Sequence, residues 1–217
     1  MSLVIAIDGP AASGKSTAAR SLAARRGIAC VNTGSLYRAV ALAAVRAGIA
    51  FDKVDLPFLR NLTLDYAPGA GGELELRLNG EFPGEALRTP EIAAGASRVA
   101  TLPQVRAFLL DVQRRMAAGQ WIVMEGRDIG TVIFPDAKYK FFVTASPLER
   151  ARRRLAQAGE TAAGATLEAV AREIAARDRQ DSERKTAPLK PAPDAVVIDT
   201  TDRTAEEVVS LLESYIG

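Results

Sequence analysis

The stretch AIDGPAASGKST, from Ala6 to Thr17, constrains what this chain can fold into more than any other. The run Leu3-Val4-Ile5-Ala6-Ile7 that leads into it is short, apolar and rich in β-branched residues, the texture of a strand buried in a parallel sheet. Gly9-Pro10-Ala11-Ala12-Ser13-Gly14-Lys15-Ser16 then matches the pattern G-x-x-x-x-G-K-[ST] in full. Glycines let the backbone bend so that its N–H groups turn inward around an anion, and the positive end of the next helix adds to their pull. Lys15 is placed to reach the β- and γ-phosphates of a nucleotide, and the Ser16 hydroxyl to ligate the Mg2+ that travels with them. An ordinary strand-turn-helix fits the bare pattern too. The setting, between an apolar strand and a helix-forming run from Thr17, favours a phosphate cradle over Gly9 to Thr17.

What the chain lacks narrows its chemistry. Its 217 residues contain no histidine and one cysteine, Cys30. Ser-His-Asp and Cys-His nucleophilic systems, histidine metal sites and thiolate zinc clusters are thereby ruled out, as is any disulfide within one chain. Chemistry must run on Asp, Glu, Arg, Lys and hydroxyls, an inventory that suits phosphoryl transfer, where catalysis is mostly positioning and charge stabilisation. A formal charge of +2 gives no general attraction to nucleic acid. No apolar run approaches the ~18 residues of a membrane span, and strand residues follow Met1 almost at once, so no membrane and a cytoplasmic location are expected.

Along the chain, Thr17 to Arg26 reads as a helix ended by Gly27, and Ile28 to Asn32 as a second strand holding Cys30 as a small buried residue. Thr33-Gly34-Ser35-Leu36-Tyr37-Arg38 reads as turn residues before an alanine-rich helix that stops at Gly48, with Arg38 in its first turn. Between Leu56 and about Arg88 the texture changes. Glu73 to Leu78 alternates polar and apolar residues, Pro68 to Gly72 is a loop, and Asn79-Gly80 is a strong hairpin signal, so a β-rich insertion of about three strands is expected. Glu91 to Val99 and Pro103 to Ala118 read as helices carrying Ser97 and Arg106. Trp121 to Met124 reads as a buried strand running into Glu125-Gly126-Arg127-Asp128-Ile129-Gly130-Thr131. An Arg-Asp pair in a glycine-flanked turn after a core strand is well placed to touch a ligand; a self-contained ion pair capping the turn is the plainer alternative. Tyr139 to Thr144 is a strand, Pro147 opens a helix, Leu167 to about Arg179 is another, Ala195 to Asp199 a last strand and Thr204 to Tyr215 a last helix. Eight arginines lie from Arg150 to Arg184, on two helices joined by the Gly/Ala/Thr stretch Gly159 to Ala165. That is the composition either of a lid over polyphosphate or of a solvated charged hairpin, and the upstream phosphate loop favours the lid.

Taken together, TGSLYR, EGRDIGTVIFPDA and RDRQDSERKTAPL with the phosphate loop make the chain similar to the bacterial cytidylate kinases, from about Leu3 to the C-terminus. The resemblance implies an α/β fold like adenylate kinase: a five-stranded parallel sheet in a three-layer arrangement, a small monophosphate-binding insertion and an arginine-rich helical lid. One kinase domain over 1–217 is implied, with core 1–60, 88–158 and 183–217, insertion about 61–87 and lid about 159–182. It implies transfer of the γ-phosphoryl of MgATP to CMP or dCMP by a monomer. Residues Gly9 to Thr17 would then bind ATP, with lid arginines from among Arg150, Arg153 and Arg154, foremost Arg153 and Arg154, on the donor phosphates. Arg38, Arg127 and Arg184 would meet the acceptor phosphate with Thr33 nearby; Ser97, Arg106 and Asp128 would read cytosine; Arg177 and Asp181 would take the ribose. Lys15, Arg127, Asp128 and Arg184 would be the catalytic set and Ser16 the Mg2+ ligand.

Physical chemistry agrees with these roles. Cytosine offers an amino donor beside the N3 and O2 acceptors, so an aspartate or serine can take the amino hydrogen while an arginine donates. Uracil reverses the pattern at position 4, a mismatch that costs on the order of 10⁴-fold in a well-sealed site. A phosphate monoester with a second pKa of about 6 needs no general base at neutral pH. Arginine stays charged and grips phosphate in bidentate fashion. Two positions depart from the family pattern: Asn32 and Glu125 stand where aspartate is frequent. Kinases of the same fold acting on UMP or AMP are the nearest rival reading. A GTPase switch or a non-catalytic nucleotide-binding module is more remote, because the D-x-x-G and N-K-x-D motifs of a GTPase are missing.

Overall fold

The apolar run before the glycine loop forms β1 (Val4–Asp8), which is buried at every position. The computed structural model describes residues 3–69, 74–157, 161 and 164–216. α1 (Lys15–Arg26) follows the glycine loop and stops at Gly27, whose φ of 62° closes the helix. β2 (Ala29–Asn32) runs straight into α2 (Thr33–Arg46). The expected turn over Thr33 to Arg38 is therefore helical, and Arg38 lies in the second turn, not the first. Thr33, Gly34 and Ser35 are tolerated here as residues at a helix start, where small polar side chains cost least.

α3 (Leu56–Arg60) is capped by Asp55, whose carboxylate accepts from Phe58 N at 2.9 Å. β3 (Leu64–Pro68) and β4 (Leu74–Leu78) pair antiparallel with Tyr66 opposite Leu76. α4 (Pro90–Val99) and α5 (Pro103–Met116) each open on a proline, as expected. β5 (Ile122–Gly126), β6 (Tyr139–Thr144), α6 (Pro147–Leu155), α7 (Leu167–Glu183), β7 (Val196–Asp199) and α8 (Ala205–Tyr215) complete the chain. Trp121 lies before β5 and is 42% exposed, so the buried strand starts one residue later than expected and continues through Gly126. Cys30 is half-buried.

The elements divide into two compact units, one of Met1–Asn32 with Gly119–Gly217 and one of Thr33–Ala118. The first is built on a five-stranded, wholly parallel sheet of order β2-β5-β1-β6-β7. Ile5, Ile7, Phe141, Val143 and Ile198 form one apolar cluster with Ala19 and Leu22 of α1 and Val208, Val209 and Leu212 of α8. Val4 and Ala6, on the other side of β1, are just as buried. That is why the strand reads as a continuous apolar run and not as an alternation. The register sets Ile7 beside Glu125 and Asp8 beside Gly126, so the Gly9 loop and the Arg127 loop leave the sheet at the same edge. Ligands of open α/β sheets collect at that carboxyl edge.

In the second unit, Leu36 and Val40 of α2, Leu59, Leu76 and Leu78, Ile92 of α4 and Leu109 of α5 share one core. The β-rich segment is smaller than expected: two strands, with a single bridge from Leu78 to Glu81 in place of a third. The Asn79-Gly80 turn itself is as read. Both residues have positive φ, 52° and 84°, and Leu78 and Glu81 exchange hydrogen bonds across them at 2.8 and 3.1 Å. Pro83, two residues on, has no N–H to give a ladder, so the strand stops. Residues 70–73, between β3 and β4 in the chain, and 158–160, 162 and 163, between α6 and α7, lie outside the described residues. Of the expected loop Pro68 to Gly72, Pro68 instead ends β3 and residues 70–72 fall there, as do the start of the alternation at Glu73 and most of Gly159 to Ala165.

Gly95, inside α4, shows how tightly the second core is filled. A Cβ there would lie 2.5 Å from Phe51 Cζ and 2.7 Å from Cε1. Alanine would gain up to about 1 kcal/mol in helix propensity, but overpacking a core costs about 1–3 kcal/mol. Gly95→Ala is expected to lower stability by about 1 kcal/mol net; thermal unfolding that left Tm unchanged or raised it would show that the ring yields freely.

Candidate functional site

Backbone conformation, more than side chains, shapes the phosphate loop. Gly9 has a φ of 153°, and a Cβ on it would come 2.0 Å from the Val143 carbonyl oxygen, so only glycine fits. Ala12 is a non-glycine residue at φ 57°, a conformation that costs roughly 1–2 kcal/mol. Gly14 caps α1 at φ 86°, and no acidic residue occupies the first turn to neutralise the N-terminus. Ser13 is fully buried and its Oγ has no hydrogen-bond partner among the described residues. Lys15, the first residue of α1, folds back so that Nζ donates to Pro10 O at 2.8 Å. Burial, followed by the charge of Arg127, pushes its pKa down to about 7, with Glu125 opposing. Ser16 Oγ donates to Glu125 Oε1 at 2.6 Å.

Asp8 ties this loop to the next. Its two carboxylate oxygens accept from Ile129 N and Gly130 N, each at 2.8 Å. The Arg127-Asp128 turn is thus held by the residue that precedes Gly9. Asp128 is buried and its carbonyl accepts from Val132 N and Ile133 N, opening a single π-helical turn over Ile129–Ile133. Such turns recur at functional sites.

Across this edge, the helix end supplies arginines. Arg127 Nε donates to Asp181 Oδ2 at 3.1 Å, and Arg184 Nη1 lies 3.4 Å from Asp181 Oδ1. Burial alone would raise the Asp181 pKa, but the charges of Arg127, Arg177 and Arg184 outweigh it and hold the carboxyl below its usual range. Three guanidiniums around one carboxylate, with Lys15 also in their field, make a site charged for an anion. Asp181 was expected as a ribose contact; it is also the anchor of two arginines. α7 reaches Glu183, past the expected end near Arg179, which brings Arg184 to its C-cap.

On α6, Arg153 donates to Glu149 Oε1 at 3.0 Å, to Thr200 Oγ1 at 2.8 Å and to Thr200 O at 2.7 Å, while Thr200 Oγ1 is 3.0 Å from Ser13 O. Arg154 lies half-buried on the same helix. Arg153 also lines a cavity of about 180 Å³ with Gly14, Thr17, Thr200 and Arg203. The first unit therefore brings together Lys15, Ser16, Arg127, Arg177, Asp181 and Arg184. Thr33, Arg38, Ser97 and Arg106 belong to the second. There Arg38 Nη1 donates to Leu87 O at 2.9 Å, Ser97 Oγ to Ala93 O at 3.3 Å, and Arg106 Nη1 to Ala100 O at 3.4 Å with its guanidinium over the Tyr37 ring. Thr33 is buried. Two contributors had no sequence expectation. Asp8 carried a usable signal, a charged residue ending an apolar strand; Thr200, a single hydroxyl in a loop, carried none.

A family model described as cytidylate kinase matches residues 5–217. The chain belongs to the cytidylate kinase family. A cytidylate kinase of Pelotomaculum thermopropionicum is 45% identical over 217 residues, covering 98% of this chain and 95% of its own. One from Geobacter sp. strain M21 is 46% identical over 216 residues, covering 99% and 92%. Among solved structures, an uncharacterized protein from Eubacterium ventriosum superposes with a TM-score of 0.53 over 100% of this chain and 98% of its own, at 13% identity, a likeness of fold alone. No helix among the described residues is long and apolar enough to cross a membrane.

Asp8 makes the site's pH dependence testable. Burial, more than the nearby Asp128, pushes its pKa up to about 7, against the lowering by its two backbone bonds. The folded state then holds a proton that the unfolded chain, with a carboxyl near 3.8, has released. Stability from this group is present below the unfolded pKa and is lost as pH rises towards 7. Lys15 acts above pH 7 and Asp181 below its ordinary range, so the interval between isolates Asp8. Urea unfolding at pH 5, 6 and 7 is expected to show stability declining with pH in the parent and a flatter profile in Asp8→Asn; parallel profiles would contradict this.

Proposed function

We propose that this protein transfers the γ-phosphoryl group of ATP to CMP or dCMP, giving CDP or dCDP and ADP. Family membership along the whole chain carries the reading, and the Lys15 loop with the Asp181 arginine cluster supports it. A phosphate oxygen of the acceptor attacks the γ-phosphorus as the bond to the β-phosphate oxygen breaks, and ADP leaves with that oxygen. No proton need be removed, since the acceptor is largely dianionic at neutral pH.

Each residue then has a physical task. Within the Gly9 to Thr17 loop, the backbone N–H groups from Ala11 to Thr17 and the Lys15 ammonium hold the donor phosphates, and the hydroxyl of Ser13 gains a partner there. Arg153 and Arg154 serve the donor from α6, and the cavity beside Gly14, Thr17 and Arg203 suits the rest of ATP. Arg38, Arg127 and Arg184, with Thr33, take the acceptor phosphate; Ser97, Arg106 and Asp128 read the base; Arg177 and Asp181 take the sugar. Residues 61–87 serve as the monophosphate-binding insertion and 159–182 as the lid. The oxygen-only pair of Ser16 and Glu125 fits a hard cation such as the Mg2+ that travels with ATP. Ser16 would hold the Mg2+, which when bound would neutralise phosphate charge. The reading is of a monomer working in the cytoplasm.

Steady-state turnover of CMP, dCMP, UMP and AMP with ATP tests the assignment. CMP and dCMP are expected to lead; faster turnover of UMP or AMP overturns it. Lys15→Met should lower kcat by about 10³-fold. Asp128→Ala should lower kcat/KM for CMP about 100-fold while ATP binding changes little. Equal losses for both nucleotides would remove Asp128 from the acceptor side. Chelation of Mg2+ should abolish turnover and its return restore it; full activity in excess EDTA would refute the metal's part.

A further inference from the structure

Arg150 and Arg153 lie one turn apart on α6 and are spent differently. Arg153 faces Thr200 and the cavity, whereas the Arg150 side chain is only 7% exposed. Arg150 Nε donates to Ala145 O at the end of β6 at 3.0 Å. Nη1 donates to Ala11 O in the phosphate loop at 3.3 Å and meets Asp178 Oδ2 of α7 at 2.6 Å. One planar guanidinium thereby joins the loop, the sheet edge and the helix that carries Arg177 and Asp181. A separate apolar contact runs the same way: Ala12 packs in the seam of Ala151, Leu155, Val170 and Ile174 between α6 and α7.

The peptide joining Ala11 to Ala12 is planar and trans, so its carbonyl and its N–H point in opposite directions. With Ala11 O drawn to Arg150, Ala12 N–H is turned away from α6. Ala12 itself sits at φ 57°, a conformation that alanine leaves readily unless its surroundings hold it. We infer that Arg150, oriented by Asp178, is a positioning residue that fixes the Ala11–Ala12 peptide and so presents the Ala12 N–H to the donor phosphates in register with α7. The inference rests on reading Gly9 to Thr17 as the ATP loop. It gives Arg150 a task apart from phosphate contact: lysine could satisfy one of its three acceptors but not all at once.

Arg150→Lys and Asp178→Asn, singly and together, test this, with Arg152→Ala on the exposed side of α6 as a control. kcat and KM are measured for ATP and CMP in turn, and Tm with and without ATP. Each single variant is expected to lower kcat/KM for ATP about tenfold and to shrink the ATP-induced rise in Tm, while KM for CMP stays within about threefold. The double variant should lose little beyond the worse single, because both act through one contact. ATP kinetics within about twofold of the parent in both singles, losses that multiply in the double, or losses shared equally by ATP and CMP overturn the inference. Should Arg150→Lys fail to fold, Asp178→Asn decides alone, since it removes the charge that orients Arg150 while keeping the size and shape of the side chain. A parent that binds ATP but leaves CMP untouched refutes the functional reading instead, and the ATP-dependent Tm rise still reports on this contact.

Discussion

The Asp8 carboxylate is the joint on which the first unit's site depends. It stands at the end of the central strand, where the register with β5 brings two loop openings side by side, and it spends both oxygens on the Ile129 and Gly130 N–H groups. A strand end fixes the start of a loop but not its path. The two bonds from Asp8 extend the order of β1 across to the Arg127-Asp128 turn, so the phosphate loop and that turn share one anchor. The anchor's burial costs free energy, visible in its raised pKa, and a core that tolerates such a cost has little freedom to lose the contact.

Electrostatics continue the same logic. Lys15, Arg127, Arg177 and Arg184 repel one another, and Asp181 with Glu125 offsets only part of that repulsion. Burial first, and then the charges of Arg127 and Arg177, lower the Lys15 pKa. A polyanion relieves the repulsion, which is how a site can bind phosphate with few new contacts: the unfavourable charge density is built during folding and discharged on binding.

Residues with a local cause for their conformation were the legible ones. Gly27 ends a helix, Asn79-Gly80 turns a hairpin, Pro90 and Pro103 open helices, and the apolar runs at Val4 and Tyr139 are strands, each for reasons contained within a few neighbours. Elsewhere the deciding information is distant. Thr33-Gly34-Ser35 has turn composition but joins a helix whose apolar face, from Leu36 to Ala44, is buried in its unit's core, and that burial outweighs local preference. The third strand of the ribbon failed because a hairpin signal guarantees a turn and not the length of the strand beyond it. In the site, arginines and glycines stood out by pattern and Asp8 by its charge at the end of an apolar strand, whereas the bonds of Thr200 and Arg150 to backbone atoms left no motif, since a carbonyl partner has no letter of its own.

A buried carboxyl with a pKa near 7 ordinarily marks a general base. Geometry rejects that role for Asp8. Both oxygens already accept backbone N–H bonds, and the side chain is closed to solvent, out of reach of a substrate proton. Asp181, which does lie among the arginines, is held below the ordinary range and is a poor proton acceptor at neutral pH. Neither carboxylate is therefore suited to proton abstraction, and the chain has no histidine to take that part, which agrees with a nucleophile that arrives ionised. A phosphate monoester does so and a sugar hydroxyl does not. The protonation of these two carboxyls thus fits an acceptor that brings its own ionised phosphate, whatever contacts its base makes.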